Sequence, residues 1–161
     1  MSVKDFVQQR RDALIAMRRD FHMYPEPAWL EYRSAAKVAD RLISLGYDVA
    51  LGADVLDLDS RMGLPSDEVM KAAMDRAIKE GANPELVEKM GYGKTAIVAT
   101  MKFGGEGPVV AFRVDMDSND VIEAKDDNHV PAKGGFRSCH DKAMHACGHD
   151  AHMTMGLGLA E

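Results

Sequence analysis

The sequence is poor in cysteine, with only Cys139 and Cys147 among its 161 residues. Two cysteines exclude a disulfide-rich scaffold. Their spacing forms no C-x-x-C pair, which argues against a zinc finger and makes a redox function of the pair the weaker alternative. We expect both thiols to be reduced, because nothing in the sequence indicates secretion.

The sequence also lacks long apolar runs and basic tracts. Charged and apolar positions alternate over residues 1–20, which indicates neither a signal peptide nor a membrane span. A net charge of -6 with 46% hydrophobic residues is typical of a globular protein and argues against a nucleic-acid-binding surface. We therefore expect a cytoplasmic protein that binds neither nucleic acid nor a membrane.

Apolar periodicity predicts the helices and strands. Residues 3–21 and 35–43 carry apolar side chains at helical spacing, and residues 47–51 indicate a strand. Two runs rich in β-forming residues, 95–103 and 109–114, are joined by a glycine-rich segment that predicts a hairpin.

Residues 52–93 change character and predict a helical insertion on the surface. An irregular acidic piece comes first, and Ser66 then indicates the start of a helix. The pair Asn83-Pro84 indicates a second, shorter helix. The polar residues 118–143 predict a long loop, a feature that is often functional in compact domains.

The segment from Met144 to His152 concentrates metal-binding residue types. Within nine positions it holds one thiol, three imidazoles and one carboxylate. In an extended segment the side chains of Cys147 and His149 emerge on one face, and Gly148 between them allows a tight bend. A buried thiol or a hydrogen-bonded histidine is the ordinary alternative for one such residue, but the whole cluster favours zinc or another first-row ion. We predict Cys147 and His149 as metal ligands.

Acidic residues follow the predicted strand 109–114. Acids placed just past a strand end are common in the active sites of open α/β sheets. Asp115 is therefore a candidate carboxylate that holds a metal-bound histidine in one tautomer. Turn formation or helix capping explains Asp115 and Asp117 equally well. Asp150 is expected either to support the metal site or to cap the last helix.

The order of these motifs resembles the aminoacylase and hippurate-hydrolase type of metal-dependent amidohydrolases. The motifs are Arg18-Arg19-Asp20-Phe21-His22, Tyr24-Pro25-Glu26, Arg113-Val114-Asp115-Met116-Asp117 and the block from His145 to His152. The resemblance implies an α/β fold, in which residues 1–161 form the N-terminal part of a three-layer α/β/α zinc-peptidase-like catalytic domain. That domain has a mixed sheet, and here it carries the helical insertion 52–93. The lid and dimerisation domain and the rest of the catalytic domain are expected outside this chain.

The same resemblance implies a function. Cys147 and His149 would be two of the ligands of a pair of Mn²⁺ or Zn²⁺ ions, and the general-base glutamate would lie beyond Glu161. Distant relatives have a metal-binding histidine where this sequence has Arg113, so we assign that residue no metal role.

The implied reaction is hydrolysis of the amide bond of an N-acyl or N-aroyl amino acid by a metal-activated water. The insertion, through Ser60-Arg61-Met62-Gly63-Leu64-Pro65, resembles the subgroup that acts on p-aminobenzoyl-glutamate. Such an enzyme would be a homodimer or a heterodimer with a related second subunit. The alternative is a truncated, inactive product that acts at most as a metal-binding or interaction module.

Overall fold

The computed structural model describes residues 2–161, which form helices, two short strands and long irregular segments. The helices are α1 (Val3–Met23), α2 (Tyr32–Ser44), α3 (Asp67–Lys79), α4 (Pro84–Met90), α5 (Val130–Lys133) and α6 (His149–Ala160), and the strands are β1 (Asp48–Leu51) and β2 (Ile97–Thr100). Two short 3-10 turns cover Gly52–Val55 and Leu58–Ser60. The chain divides into two compact units, a first unit of Met1–Pro27 with Val114–Glu161 and a second unit of Ala28–Arg113.

The first unit is built on the packing of α1 against α6. A capping box starts α1, because the Ser2 hydroxyl accepts from the Asp5 backbone N–H at 3.2 Å and the Asp5 carboxylate accepts from the Ser2 backbone N–H at 3.3 Å. Phe21 of α1 and Met153 and Leu157 of α6 are buried, so each helix contributes apolar side chains to the core of this unit. The predicted first and last helices are both confirmed.

Small residues on α6 allow a close approach of neighbouring side chains. A Cβ atom added at Gly156 would lie 2.7 Å from a methyl group of Val114, and one added at Gly158 would lie 3.0 Å from a methyl group of Leu14. The two glycines therefore have a packing reason inside a helix that they would otherwise weaken.

The second unit packs α2 against α3, α4 and the strands. Its buried side chains include Tyr32, Met70, Val87 and Met90. The Tyr32 hydroxyl accepts from the Gly93 backbone N–H at 2.8 Å, which satisfies both groups inside the unit. The helices predicted after Ser66 and at Asn83-Pro84 are confirmed as α3 and α4. Whether residues 52–93 are an insertion stays a prediction.

The predicted hairpin is wrong. The strand β2 pairs antiparallel with β1, in a register that places Asp48 opposite Thr100 and Leu51 opposite Ile97. Residues 109–114 form no strand, and the side chain of Val109 is 99% exposed. The β propensity of a segment depends on a neighbouring strand for its hydrogen bonds, and no described strand lies beside 109–114.

The fold is thus a mixture of helices and strands, in agreement with the predicted α/β class. The sheet seen in residues 2–161 is a two-stranded antiparallel one, and the three-layer arrangement with a mixed sheet stays a prediction. The predicted long loop is confirmed as mostly irregular, apart from α5 and a bridge between Asn119 and Met144. No helix among residues 2–161 combines the length and the apolar character needed to cross a bilayer.

Candidate metal centre

The candidate centre forms where the chain turns into α6. Gly148 is the N-cap and adopts left-handed backbone angles, with φ 88° and ψ 21°. This conformation strains any residue with a Cβ, so the glycine provides the bend between Cys147 and the helix that begins at His149. The cap supplies no side-chain hydrogen bond to the first turn of α6.

The imidazole of His149 is held in one tautomer. Its Nδ1 lies 2.7 Å from the backbone carbonyl oxygen of Asp117 and 3.1 Å from a carboxylate oxygen of the same residue. Because a carbonyl oxygen only accepts hydrogen bonds, Nδ1 carries the proton and the lone pair is on Nε2. A neutral imidazole with one nitrogen fixed by a backbone carbonyl is the usual state of a histidine that binds a metal through the other nitrogen.

Two further side chains lie beside His149. Asp115, His149 and His152 each offer a ligand atom, and these atoms lie within 4.8 Å of one another. The His152 Nδ1 is 3.9 Å from a carboxylate oxygen of Asp115, and the His149 and His152 rings stack with centroids 5.2 Å apart. The structure therefore brings the predicted residues Asp115 and His149 together. It adds His152, for which the sequence analysis predicted no role although it counted the residue in the cluster.

Asp117 rather than Asp115 contacts the His149 imidazole, and Asp115 faces His152. The role predicted for Asp115, support of a metal-bound histidine, stays a prediction.

Cys147 lies outside the group of three donors. Its side chain is exposed, and its backbone N–H donates to the side-chain oxygen of Asn119 at 3.0 Å. Neither Cys147 nor Cys139 is in a disulfide, as expected, and the Cys139 thiol donates to the carbonyl oxygen of Met23 at 2.9 Å. The assignment of Cys147 as a ligand stays a prediction.

His145 is buried, with 4% of its surface exposed. Within residues 2–161 neither of its ring nitrogens has a hydrogen-bond partner. Burial lowers the pKa of His145 to about 4, so the imidazole is neutral at pH 7. A buried neutral imidazole without a partner, two positions from a thiol in the chain and four from a second histidine, fits the nitrogen and sulfur donor set of a zinc-type ion.

A buried charge network connects α1 to the start of α6. The Asp150 carboxylate has no exposed area and lies 2.9 Å from Arg18 Nε and 2.7 Å from His22 Nδ1. The other nitrogen of His22 is 2.9 Å from Glu123 Oε1, which is also 2.7 Å from His129 Nε2. Of the two functions considered for Asp150, the structure therefore gives it ion-pair partners outside its own helix.

The pKa values in this network follow from its hydrogen bonds. Burial alone lowers the pKa of His22, but hydrogen bonds to Asp150 and Glu123 outweigh it and the pKa is raised. Burial alone raises the pKa of each carboxyl. For Glu123 the hydrogen bonds from His22, His129 and the Ser138 backbone outweigh it, so the pKa is lowered. For Asp150 the hydrogen bond from His22 and the charge of Arg18 lower the pKa. The protonated His22 therefore bridges two carboxylates.

Sequence reasoning missed Glu123 entirely and named His22 only as part of a motif. Glu123 lies in the polar segment 118–143, where an acidic residue carries no local signal of burial. Its bond to His22 spans 101 residues, so only the folded chain reveals it.

The chain is similar in sequence to several hydrolases. It is 46% identical over 158 residues to the indole-3-acetyl-aspartic acid hydrolase of Enterobacter agglomerans, and 46% identical over 159 residues to one of the subunits of the p-aminobenzoyl-glutamate hydrolase of Escherichia coli. These alignments cover 98% and 99% of the chain, but in each case the chain spans only 36% of the relative's length. The thermostable carboxypeptidase 1 of Saccharolobus solfataricus is 31% identical over 98% of the chain and 29% of its own length. No protein-family model matches the chain.

A solved structure supports the same relationship. The aminobenzoyl-glutamate utilization protein from Klebsiella pneumoniae matches with a TM-score of 0.78 and 38% identity, over 99% of this chain and 34% of that one. Sequence and fold thus define the class: the chain is related to hydrolases with names that include carboxypeptidases and deacetylases. Within that class the resemblance drawn from the motifs is confirmed, and the chain belongs to the family that includes this p-aminobenzoyl-glutamate hydrolase.

Proposed function

We propose that the chain is part of a metal-dependent amidohydrolase that cleaves the amide bond of N-acyl or N-aroyl amino acids, with p-aminobenzoyl-glutamate as the preferred substrate. The observation that carries the proposal is the state of His149. Its Nδ1 is bound to Asp117, so its Nε2 is available to a ligand beside Asp115 and His152. The names of the two relatives at 46% identity support the substrate class, because each name describes an acidic amino acid linked to an aromatic acyl group.

Cys147 and His149 would hold a divalent ion of a Mn²⁺ or Zn²⁺ pair. When bound, such an ion polarises the amide carbonyl and lowers the pKa of water toward about 7. His149 would present Nε2, because the Asp117 carbonyl holds the proton on Nδ1. Asp115 would keep the neighbouring imidazole of His152 oriented, 3.9 Å from its carboxylate. No residue of this chain is assigned as the general base.

Two of the relatives are named as one subunit of a larger hydrolase, which supports a further part of the proposal. That part is assembly with a related second subunit or with a second copy. The proposed substrate would then meet a site completed by residues outside this chain.

The test is substitution of the two predicted ligands, in this chain and in any longer product that contains it. We expect Cys147→Ala and His149→Ala to abolish manganese-dependent hydrolysis of p-aminobenzoyl-glutamate and to reduce bound metal. The matched control is Cys139→Ala, which removes the other exposed thiol and should leave turnover unchanged. Full turnover and full metal content in Cys147→Ala would contradict the ligand role.

The alternative function is a metal-binding or interaction module without catalysis. The exposed apolar side chains of Val109, Val110 and Phe112 favour it, since exposed apolar groups close together are typical of interaction surfaces. The same experiment separates the two functions, because this module would bind metal through His149 and show no turnover in any form of the protein.

A further inference from the structure

We propose that Arg18 and His22 are positioning residues for the metal centre. They bind the buried carboxylate of Asp150 and thereby fix the first turn of α6, which carries His149. The inference rests on the proposed function, since it concerns how the ligand-bearing segment is held.

The carboxylate of Asp150 is fully engaged. One oxygen lies 2.9 Å from Arg18 Nε and 2.7 Å from His22 Nδ1, and the other accepts from the Ala151 backbone N–H at 2.8 Å. The carboxylate has no exposed area, so water cannot replace a lost partner. Any rotation or shift of this turn of α6 would break charged hydrogen bonds inside the first unit.

The beginning of α6 has little else to hold it. Gly148 is a left-handed N-cap without a side-chain hydrogen bond, so the first turn lacks the usual fixation by a serine, threonine or aspartate cap. Asp150 is the residue immediately after His149, and successive residues of an α-helix point about 100° apart. A turn whose Asp150 is bound to α1 therefore has a defined direction for the His149 side chain, toward Asp117.

His22 is itself held from the opposite side. Its Nε2 lies 2.9 Å from Glu123 Oε1, and Glu123 also contacts His129 at 2.7 Å. His129 therefore shares the network but does not touch Asp150. This arrangement provides a matched control, because His22 and His129 bind the same carboxylate and only His22 reaches α6.

The experiment measures metal affinity rather than activity. Cobalt(II) alone is the probe, titrated into the protein and followed by its absorption spectrum and by competition with a chelator, at a temperature where each variant is fully folded. We expect His22→Ala and Arg18→Gln to weaken cobalt binding about 10-fold to 100-fold, the range typical for residues that orient metal ligands. We expect His129→Gln to change it less than about 3-fold, because it leaves the bonds of Asp150 in place. Arg18→Lys should recover part of the loss, because it keeps the charge.

Thermal unfolding of the same variants separates positioning from a general structural role. A positioning role predicts weaker binding in His22→Ala than in His129→Gln even where both melt at the same temperature. Equal weakening in both, or unchanged cobalt affinity in folded Arg18→Gln, overturns the inference. Should His22→Ala not fold, the comparison of Arg18→Gln with Arg18→Lys decides.

The outcome for the proposed function is separate. Weakened cobalt binding in the α1 variants, with no amide hydrolysis in any form, supports the positioning role and contradicts the hydrolase. A wild-type protein that binds no cobalt overturns the positioning role, whatever its activity.

Discussion

The substitution Glu123→Gln tests the buried network most directly. The Glu123 carboxylate is 0% exposed, with His22 and His129 on Oε1 and the Ser138 backbone N–H donating to Oε2. Glutamine keeps the size but removes the charge and one acceptor, so at least one buried donor faces an NH₂ group. Breaking a buried ion pair on one side costs about 3 to 5 kcal/mol. We expect the free energy of unfolding to fall by about that amount.

The loss should depend on pH, and its sign follows from the two pKa shifts. The pKa of His22 is raised from 6.5, so its contribution is complete below pH 6.5 and is lost as the pH rises through the folded value. The pKa of Glu123 is lowered from 4.5, so its contribution is present above pH 4.5 and is lost as the pH falls through the folded value. The network is therefore most stabilising between pH 4.5 and pH 6.5, and the effect of Glu123→Gln should be largest there.

Urea denaturation at about pH 5.5 and about pH 9 measures the difference between wild type and variant, in the window set by these shifts. The control is Asp127→Asn, which removes an exposed carboxylate from the same loop and should change the free energy of unfolding by less than about 0.5 kcal/mol. The reasoning is refuted if Glu123→Gln costs less than about 1 kcal/mol at the lower pH, below the desolvation cost of a single unpaired buried group. A loss equally large at both pH values refutes the pH argument.

Three further predictions concern single positions. Tyr32→Phe should lower the free energy of unfolding by about 1 to 3 kcal/mol in a urea titration, because it leaves the buried Gly93 N–H unpaired; an unchanged midpoint would show that this bond contributes nothing. Met90→Ala should cost about 2 to 5 kcal/mol by the same measurement, since Met90 is 0% exposed and its loss leaves a cavity, and a smaller cost would mean that the second unit closes over the gap. Gly148→Ala should cost about 1 to 2 kcal/mol from the left-handed backbone alone, because no atom lies within 4 Å of the added Cβ, and wild-type stability would contradict the observed φ of 88°.

Local patterns in the sequence were sufficient for the helices. The capping residues and apolar spacing of α1, α3 and α4 are properties of neighbouring residues, and the structure confirms each of them. The segment 109–114 shows the limit of such patterns. Its β-forming residues indicate an extended chain but carry no information about a partner, and β2 pairs with β1 instead.

The candidate site divides in the same way. The sequence by itself determined the block of Cys147 and His149, since their residue types and close spacing are local and characteristic of the family. Only the tertiary structure decided that Asp117 binds His149 and that His22 joins Asp150 to Glu123. These contacts join residues 32, 128 and 101 positions apart, and no local periodicity encodes them. They form because a buried charge is stable only where the folded chain supplies its partner.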